Sequence, residues 1–169
     1  MGLVPRRLTM KKIAILSLVV LILVFGSGLN PLVVESSTLA KQVILTFEGV
    51  AVEQMTREEF LALEQMTVEL SRTNSRGKTT TGTYSGVHWK VLAPFIGAQD
   101  AKSIRVVASD GFEQAYSSDI LEDPDSLFAL YKDGEPITEE AQNGQVWFCA
   151  SEQYTADYWA KFIVKIIVQ

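Results

Sequence analysis

The sequence is poor in residues that form cross-links and metal clusters, with one cysteine and one histidine among 169 residues. Cys149 alone cannot form a disulfide within the chain, and His88 alone cannot complete a histidine or histidine–cysteine metal site. Packing must therefore stabilise the fold. Cys149 stands between Phe148 and Ala150, and we expect its thiol in the core because unpaired cysteine is among the most often buried residue types.

No motif for nucleophilic catalysis or calcium binding accompanies these rare residues. Ser85 closely precedes His88, but the chain has no G-x-S-x-G motif, which disfavours a serine–histidine catalyst. One axial histidine suffices in some haem proteins, yet at the start of a predicted helix His88 is more typical of a structural residue. The acidic residues Glu122, Asp123 and Asp125 lack EF-hand spacing and predict a solvated turn.

Long apolar runs are also missing. The longest, residues 13–25, contains 13 residues, short of the roughly 20 that a membrane-spanning helix needs. Basic residues precede this run and small residues follow it: Arg6, Arg7, Lys11 and Lys12 before, and Gly26, Ser27 and Gly28 after. This layout is typical of an export signal, so we predict an extracytoplasmic protein. Because the small residues do not form an A-x-A site, cleavage and retention as a membrane anchor both stay open.

The composition predicts three parts. Residues 1–30 are a signal peptide or N-terminal anchor, residues 31–41 are a linker, and residues 42–169 are one domain. The last part has a length common for a single domain and is long enough to bury a substantial core.

Carboxylates are absent from residues 70–99. The charged side chains there are all cationic, namely Arg72, Arg76, Lys78 and Lys90. Residues 110–157 show the opposite bias, with twelve Asp and Glu against the single cation Lys132. Segregated charge can steer an anion to one face, although two differently solvated faces without a ligand would give the same pattern. The net charge of −5 argues against a nucleic-acid partner, because phosphate binding needs a basic footprint.

Most apolar residues after position 41 recur with the period of β-strands. Strands are predicted at residues 42–48, 66–72, 103–108, 112–117, 127–132, 145–150 and 162–168. One helix is predicted from a capping box of Thr56 and Glu59 to about Glu64, and another at residues 87–96, limited by Pro94. Strands and helices do not alternate regularly, which predicts an α+β fold with mixed sheets and a few short helices.

Residues 73–85 show neither the alternation of a strand nor the spacing of a helix. We interpret them as a loop rich in cations, hydroxyl groups and backbone N–H groups. Such groups bind anions. The predicted ligand-binding residues are Arg72, Arg76, Lys78, Thr79, Thr80, Thr81, Tyr84 and His88. The spacing matches neither a P-loop nor G-x-G-x-x-G, so a surface loop without a ligand is the alternative interpretation.

Four segments match a known family in their order and spacing. They are Tyr84-Ser85-Gly86-Val87 with Trp89, Leu92 and Gly97 after it, residues 106–112 (VVASDGF), residues 133–137 (DGEPI) and residues 158–166 (YWAKFIVKI). Together they resemble the oxidoreductase molybdopterin-binding domain of the sulfite oxidase family, over about residues 49–168. The resemblance implies the mixed α+β fold of that family and a place outside the cytoplasm. It also implies molybdopterin as the first candidate cofactor, ahead of haem.

One feature of the resembled family is missing. In its catalytic members a cysteine thiolate, at the end of a strand before the glycine-bearing loop, ligates molybdenum. The matching residues 68–74 read VELSRTN here, and the hydroxyl of Ser71 or Thr73 is a poor substitute for a soft thiolate ligand. The resemblance therefore implies a non-catalytic ligand-binding or accessory module with a basic pocket for an anionic or pterin-like group.

Two alternatives to that module stay open. One is a molybdopterin-dependent oxidoreductase with a ligand set that lacks cysteine. The other is a structural or protein-interaction domain, which predicts an exposed apolar or charged patch instead of a pocket. For an exported chain of this kind, the expected macromolecular partner is a membrane or a redox protein.

Overall fold

The computed structural model describes residues 41–138 and 145–169. The predicted signal segment, and the predicted linker up to residue 40, lie outside the described residues. In the described ranges no helix is long and apolar enough to cross a membrane.

Ten strands, three short α-helices and one 3-10 helix form in the part of the chain that the structure describes. In chain order they are β1 (Val43–Glu48), β2 (Gln54–Thr56), α1 (Arg57–Ala62), β3 (Met66–Thr73), β4 (Thr79–Val87), α2 (Trp89–Ile96), β5 (Ser103–Ala108), β6 (Glu113–Ser117), α3 (Ser118–Leu121), β7 (Leu127–Lys132), β8 (Glu135–Pro136), β9 (Val146–Cys149), the 3-10 helix (Ala156–Tyr158) and β10 (Ala160–Val168). The predicted α+β class with few short helices is confirmed.

One mixed sheet organises the fold, with strand order β2-β1-β10-β9-β7-β4-β3. β5 pairs with β10 and β6, and β8 pairs with β7. The β1–β10 pair is parallel, whereas β10 runs antiparallel to both β9 and β5. β10 changes partner along its length, and register shifts between Ala160 and Ile163 and between Ile163 and Lys165 accommodate the change.

The start of α1 follows the predicted capping box. Glu59 N donates a hydrogen bond to Thr56 Oγ1 at 3.2 Å, and Thr56 N donates to Glu59 Oε2 at 2.8 Å. The reciprocal pair satisfies two backbone donors that the first turn of a helix leaves open. Met55 and Phe60, on either side of the cap, are fully buried. α1 ends at Ala62, slightly before the predicted Glu64.

The interpretation of residues 73–85 as a loop is right only for residues 74–78, because Thr73 ends β3 and residues 79–85 belong to β4. After a short turn, β4 begins at Thr79 and pairs antiparallel with β3. Threonines put hydroxyl groups on both faces of β4 and so hide its period, although β-branched residues favour strands. Ser71 Oγ lies 2.8 Å from Thr81 Oγ1 across the pair, and such cross-strand contacts stabilise the hairpin.

The second predicted helix begins later than expected. Val87 is the last residue of β4, His88 is the N-cap, and α2 starts at Trp89. Pro94 lies inside α2, which nevertheless continues to Ile96. The cost of the proline is limited because the helix ends soon after it.

The acidic turn after α3 is only partly solvated. Glu122 and Asp125 are exposed, but Asp123 is buried. The carboxylate of Asp123 accepts hydrogen bonds from Asp125 N and Gln153 Nε2, which compensate for its burial.

Aromatic rings and aliphatic side chains fill the core beneath the sheet. Phe148 lies between Tyr116 and Phe128, with ring centres 4.3 and 5.0 Å away. Cys149 is fully buried, as predicted.

Candidate anion-binding site

A cavity of about 160 Å³ lies between the β3–β4 hairpin and strands β7, β9 and β10. Its lining residues are Arg72, Asn74, Lys78, Thr80, Tyr84, Lys132, Trp147 and Lys161. Four of these side chains are cationic and none is a carboxylate. We call this space the basic cavity. A concave surface lined by charge of one sign focuses its field on the space that it encloses, so the basic cavity favours an anion.

The register of the hairpin brings its cavity residues together. Arg72 on β3 lies opposite Thr80 on β4, and Thr80, Gly82 and Tyr84 share one face because alternate residues of a strand do. A Cβ at Gly82 would lie 3.1 Å from Lys132 Cε. The glycine therefore leaves room for the lysine to reach the basic cavity from β7.

Aromatic rings lie beneath the cations of this site. Lys161 Nζ is 4.4 Å from the centre of the Trp147 ring, and Arg72 Cζ is 5.7 Å from the centre of the Trp159 ring. Tyr84 meets Trp159 edge to face, with ring centres 5.1 Å apart. Cation–π contacts fix the position of a cation without neutralising its charge.

Two buried N–H donors at the site, Arg72 Nε and Trp147 Nε1, have no acceptor in the described ranges. Leaving such a donor unsatisfied costs about 1–3 kcal/mol, and native proteins seldom do so. Both residues line the basic cavity, although these two N–H atoms are themselves buried.

Tyr84 contributes a neutral hydroxyl group. Burial raises its pKa to about 12; Cys149 and Asp133 add to the rise, and Arg72 opposes it. The phenol therefore stays protonated at neutral pH and can both donate and accept hydrogen bonds. Asp133 also lies near Lys132, with 3.8 Å between Oδ2 and Nζ. That pair is long and partly exposed, so it neutralises little of the charge of the lysine.

The structure brings half of the predicted ligand-binding residues together. Those that line the basic cavity are Arg72, Lys78, Thr80 and Tyr84. Thr79 and Thr81 lie on the other face of β4, where their hydroxyl groups pair with hydroxyl groups of β3. Arg76 is exposed in the turn between the two strands.

His88 lies apart from the basic cavity and has a structural role. Its Nδ1 accepts a hydrogen bond from Lys90 N at 2.9 Å and so caps α2. Because Nδ1 accepts, Nε2 carries the proton and donates to the carbonyl oxygen of Asp123 at 3.0 Å. Both ring nitrogens are thus engaged within the chain.

Sequence reasoning missed four residues of the lining, namely Asn74, Lys132, Trp147 and Lys161. Lys132 has a visible signal, because it is the one cation of a strongly acidic stretch. Trp147 and Lys161 stand on β9 and β10, far along the chain from the hairpin, and no local pattern links them to it.

A second cavity, of about 250 Å³, shares Arg72 and Lys161 with the basic cavity. Its other lining residues are Asp110, Phe112, Trp159 and Phe162. We call this space the aromatic cavity. It differs from the basic cavity, whose lining includes Tyr84 and Trp147, in having three aromatic side chains, only two cations and one carboxylate.

Strained backbone places two consecutive residues of β10 in the aromatic cavity. Lys161 and Phe162 both line it, whereas neighbours in a regular strand face opposite sides. Phe162 has a φ of 55°, which costs on the order of 1–3 kcal/mol for a bulky residue. It lies within the register shift between β9 and β10, where a bulge can redirect side chains. Ser109 N donates to the carbonyl oxygen of Phe162 at 2.9 Å and fixes this geometry.

The donor set does not fit molybdenum held through sulfur. Cys149 is the only cysteine; it is fully buried, and burial raises the pKa of its thiol. Ser71 Oγ, near the position that the resemblance implies for the ligand, pairs with Thr81. In the residues that the structure describes, no three His, Cys, Asp or Glu side chains form a metal site. The cationic lining fits the oxygens of a phosphate, sulfate or carboxylate instead.

The chain has the mixed α+β fold of the sulfite-oxidase-type molybdopterin proteins, as the sequence resemblance implies. Its fold is similar to that in the crystal structure of the sulfane dehydrogenase SoxCD from Paracoccus pantotrophus, with a TM-score of 0.64 and 14% sequence identity. The match covers 76% of this chain and 38% of the SoxCD chain, so this chain spans well under half of that protein. No family model matches the sequence, and neither does any curated protein.

Proposed function

We propose that this chain is an exported binding module of the molybdopterin-oxidoreductase-like fold. Its basic cavity holds a small oxyanion or the anionic group of a pterin-like ligand. The observation that carries the proposal is the lining, which combines four cations with neutral donors and no carboxylate. Arginine and lysine together with neutral donors are the groups that bind phosphate and carboxylate oxygens.

The size of the basic cavity limits what it encloses. At about 160 Å³ it is smaller than the roughly 300–1,000 Å³ of pockets that enclose drug-sized ligands. One tetrahedral or planar anionic group suits this volume. The rest of a larger ligand would lie outside the basic cavity.

A binding role is favoured over a redox role by the chemistry of the donors. The thiol of Cys149 is buried and protonated, and hydroxyl groups are poor ligands for a soft metal centre. The N-terminal pattern of basic, apolar and small residues supports a location outside the cytoplasm, where a membrane or a redox protein would be the partner.

Calorimetric titration of the purified chain with inorganic phosphate and with sulfate tests the proposal. We expect Lys78→Ala to weaken binding about tenfold, since losing one charge-assisted contact costs about 1.4 kcal/mol. Lys90→Ala is the matched control, because Lys90 is exposed and does not line the basic cavity. Absence of binding, or equal weakening in both variants, would refute an anion site here.

Metal analysis separates this module from an oxidoreductase. The chain is produced in a host that makes the molybdenum cofactor, and molybdenum is measured per chain. We expect substoichiometric metal. One molybdenum per chain, with turnover of an oxyanion or sulfoxide, would instead establish the enzyme with a ligand set lacking cysteine.

A further inference from the structure

We propose that the ligand is an aryl anion, a flat aromatic ring that bears one anionic group. The anionic group lies in the basic cavity and the ring in the aromatic cavity. This inference rests on the proposed function and adds the chemical class and the orientation of the ligand. It is carried by two features that the anion site alone does not need: the sharing of Arg72 and Lys161 by both cavities, and the aromatic lining of the second.

The two shared cations determine which part of the ligand lies in which cavity. An anionic group held between Arg72 and Lys161 has one cavity on either side, because both residues line both cavities. The basic cavity continues with Asn74, Thr80 and two further cations, and its aromatic side chains are already engaged, Trp147 beneath Lys161 and Tyr84 against Trp159. The uncharged part of the ligand therefore extends into the aromatic cavity, where burial of apolar surface is favourable.

Asp110 fixes the orientation of the ligand. Its carboxylate lines the aromatic cavity, whereas the lining of the basic cavity has no carboxylate. The backbone N–H of Phe112 donates to Asp110 Oδ1 at 2.9 Å and holds the carboxylate at the start of the β5–β6 turn. Because like charges repel, the anionic group is favoured in the basic cavity, which has four cations and no carboxylate, over the aromatic cavity, where Asp110 offsets one of two cations.

Three aromatic side chains select a flat ring. Phe112 is 45% exposed, which is unusual for a phenylalanine, and it lines the aromatic cavity with Trp159 and Phe162. The strained backbone at Phe162 and the hydrogen bond from Ser109 N keep that ring at the cavity. Aromatic rings prefer offset-stacked or edge-to-face contacts with another ring, so a flat ligand gains more here than a saturated one.

Calorimetric titration with inorganic phosphate, phenyl phosphate and cyclohexyl phosphate tests the class of ligand. We expect phenyl phosphate to bind about fivefold more tightly than either of the others. Phe112→Ala should abolish this advantage and leave the affinity for inorganic phosphate within about twofold. Phe95→Ala is the matched control, since Phe95 is 41% exposed on α2 and lines neither cavity; it should leave both affinities unchanged.

A ligand with a second anionic group tests the orientation. With a carboxylate opposite its phosphate, 4-carboxyphenyl phosphate should bind less tightly than phenyl phosphate, because its carboxylate meets Asp110. Asp110→Asn should remove most of the difference in affinity between the two ligands. Equal affinities of the two ligands for the native chain would refute the orientation.

The outcomes distinguish this inference from the proposed function. If inorganic phosphate binds and Lys78→Ala weakens it, but phenyl phosphate gains nothing, the anion site stands and the aryl ligand is wrong. Cyclohexyl phosphate binding as tightly as phenyl phosphate would also refute a flat-ring ligand. If neither inorganic nor phenyl phosphate binds, the proposed function fails together with the inference.

Discussion

The thiol of Cys149 lies on β9 close to the residues of the basic cavity, yet no part of it reaches solvent. Burial raises its pKa, and the reactive thiolate is therefore suppressed. We expect a thiol reagent to label the native protein only as fast as the protein opens, and completely in denaturant. Ser75→Cys, which introduces a thiol at an exposed turn position, provides the reference rate for an accessible thiol. Rapid labelling of native Cys149 would contradict its place in the core.

Tyr84 links the chemistry of the site to the stability of the fold. Burial raises its pKa from 10.0 to about 12 in the folded chain. The folded state keeps a proton that the unfolded state releases above pH 10, so this stabilising contribution is complete below pH 10 and is lost as pH rises to about 12. Denaturant unfolding between these pH values should show a smaller decline for Tyr84→Phe than for the native chain. Part of the decline in the free energy of unfolding should remain in the variant, because burial also raises the pKa of Tyr116.

At the scale of elements, β4 and β7 approach closely at Gly86. The register shifts between Ser85 and Gly86, and a Cβ at Gly86 would collide with the carbonyl oxygen of Phe128 and lie 2.6 Å from the Cα of Ala129. Both obstacles are backbone, which cannot move aside as a flexible side chain does.

We therefore expect Gly86→Ala to destabilise the fold by about 3 kcal/mol or more, at the severe end of single substitutions. The neighbouring Ser85→Ala removes one hydroxyl group that pairs with Thr67 and should cost about 1 kcal/mol. Denaturant unfolding of both variants measures the difference. Similar stabilities would show that the strands can separate at this position.

The elements differ in how far sequence alone predicts them. α1 is predictable because its start depends on residues three positions apart, Thr56 and Glu59. β4 is not, because threonine supplies a polar group to both faces and masks the alternation that Gly82 and Tyr84 would otherwise reveal. The bulge at Phe162 depends on pairing with two other strands, so no local signal marks it.

At the scale of the whole molecule, the chain is acidic, with a net charge of −5, but it concentrates cations at one cavity. Binding of phosphate should therefore weaken as ionic strength rises from roughly 0.01 to 0.15 M, because the screening length falls from about 30 to 8 Å. The affinity of Lys132→Gln for phosphate should depend less on ionic strength, because this variant lacks one of the four cations of the lining. An affinity independent of salt would mean that electrostatics contribute little to this site.

In the candidate site too, sequence patterns predict residues that are close along the chain but not those that long-range strand pairing brings together. Arg72, Lys78, Thr80 and Tyr84 belong to one hairpin, so their clustering along the chain reflects their clustering in space. Lys161 joins them only because β10 pairs with β9. Such long-range pairing has no signature within a short window of sequence.

The stacked pair of Trp147 and Lys161 has a practical consequence. The ammonium group lies 4.4 Å from the centre of an indole at the wall of the basic cavity, and indole emission is sensitive to a nearby charge. An incoming anion that draws the ammonium toward itself should change the wavelength and intensity of the indole fluorescence. Trp89, which lines neither cavity, can be replaced by phenylalanine to reduce the background. Intrinsic tryptophan fluorescence should therefore report the occupancy of the basic cavity without an added dye.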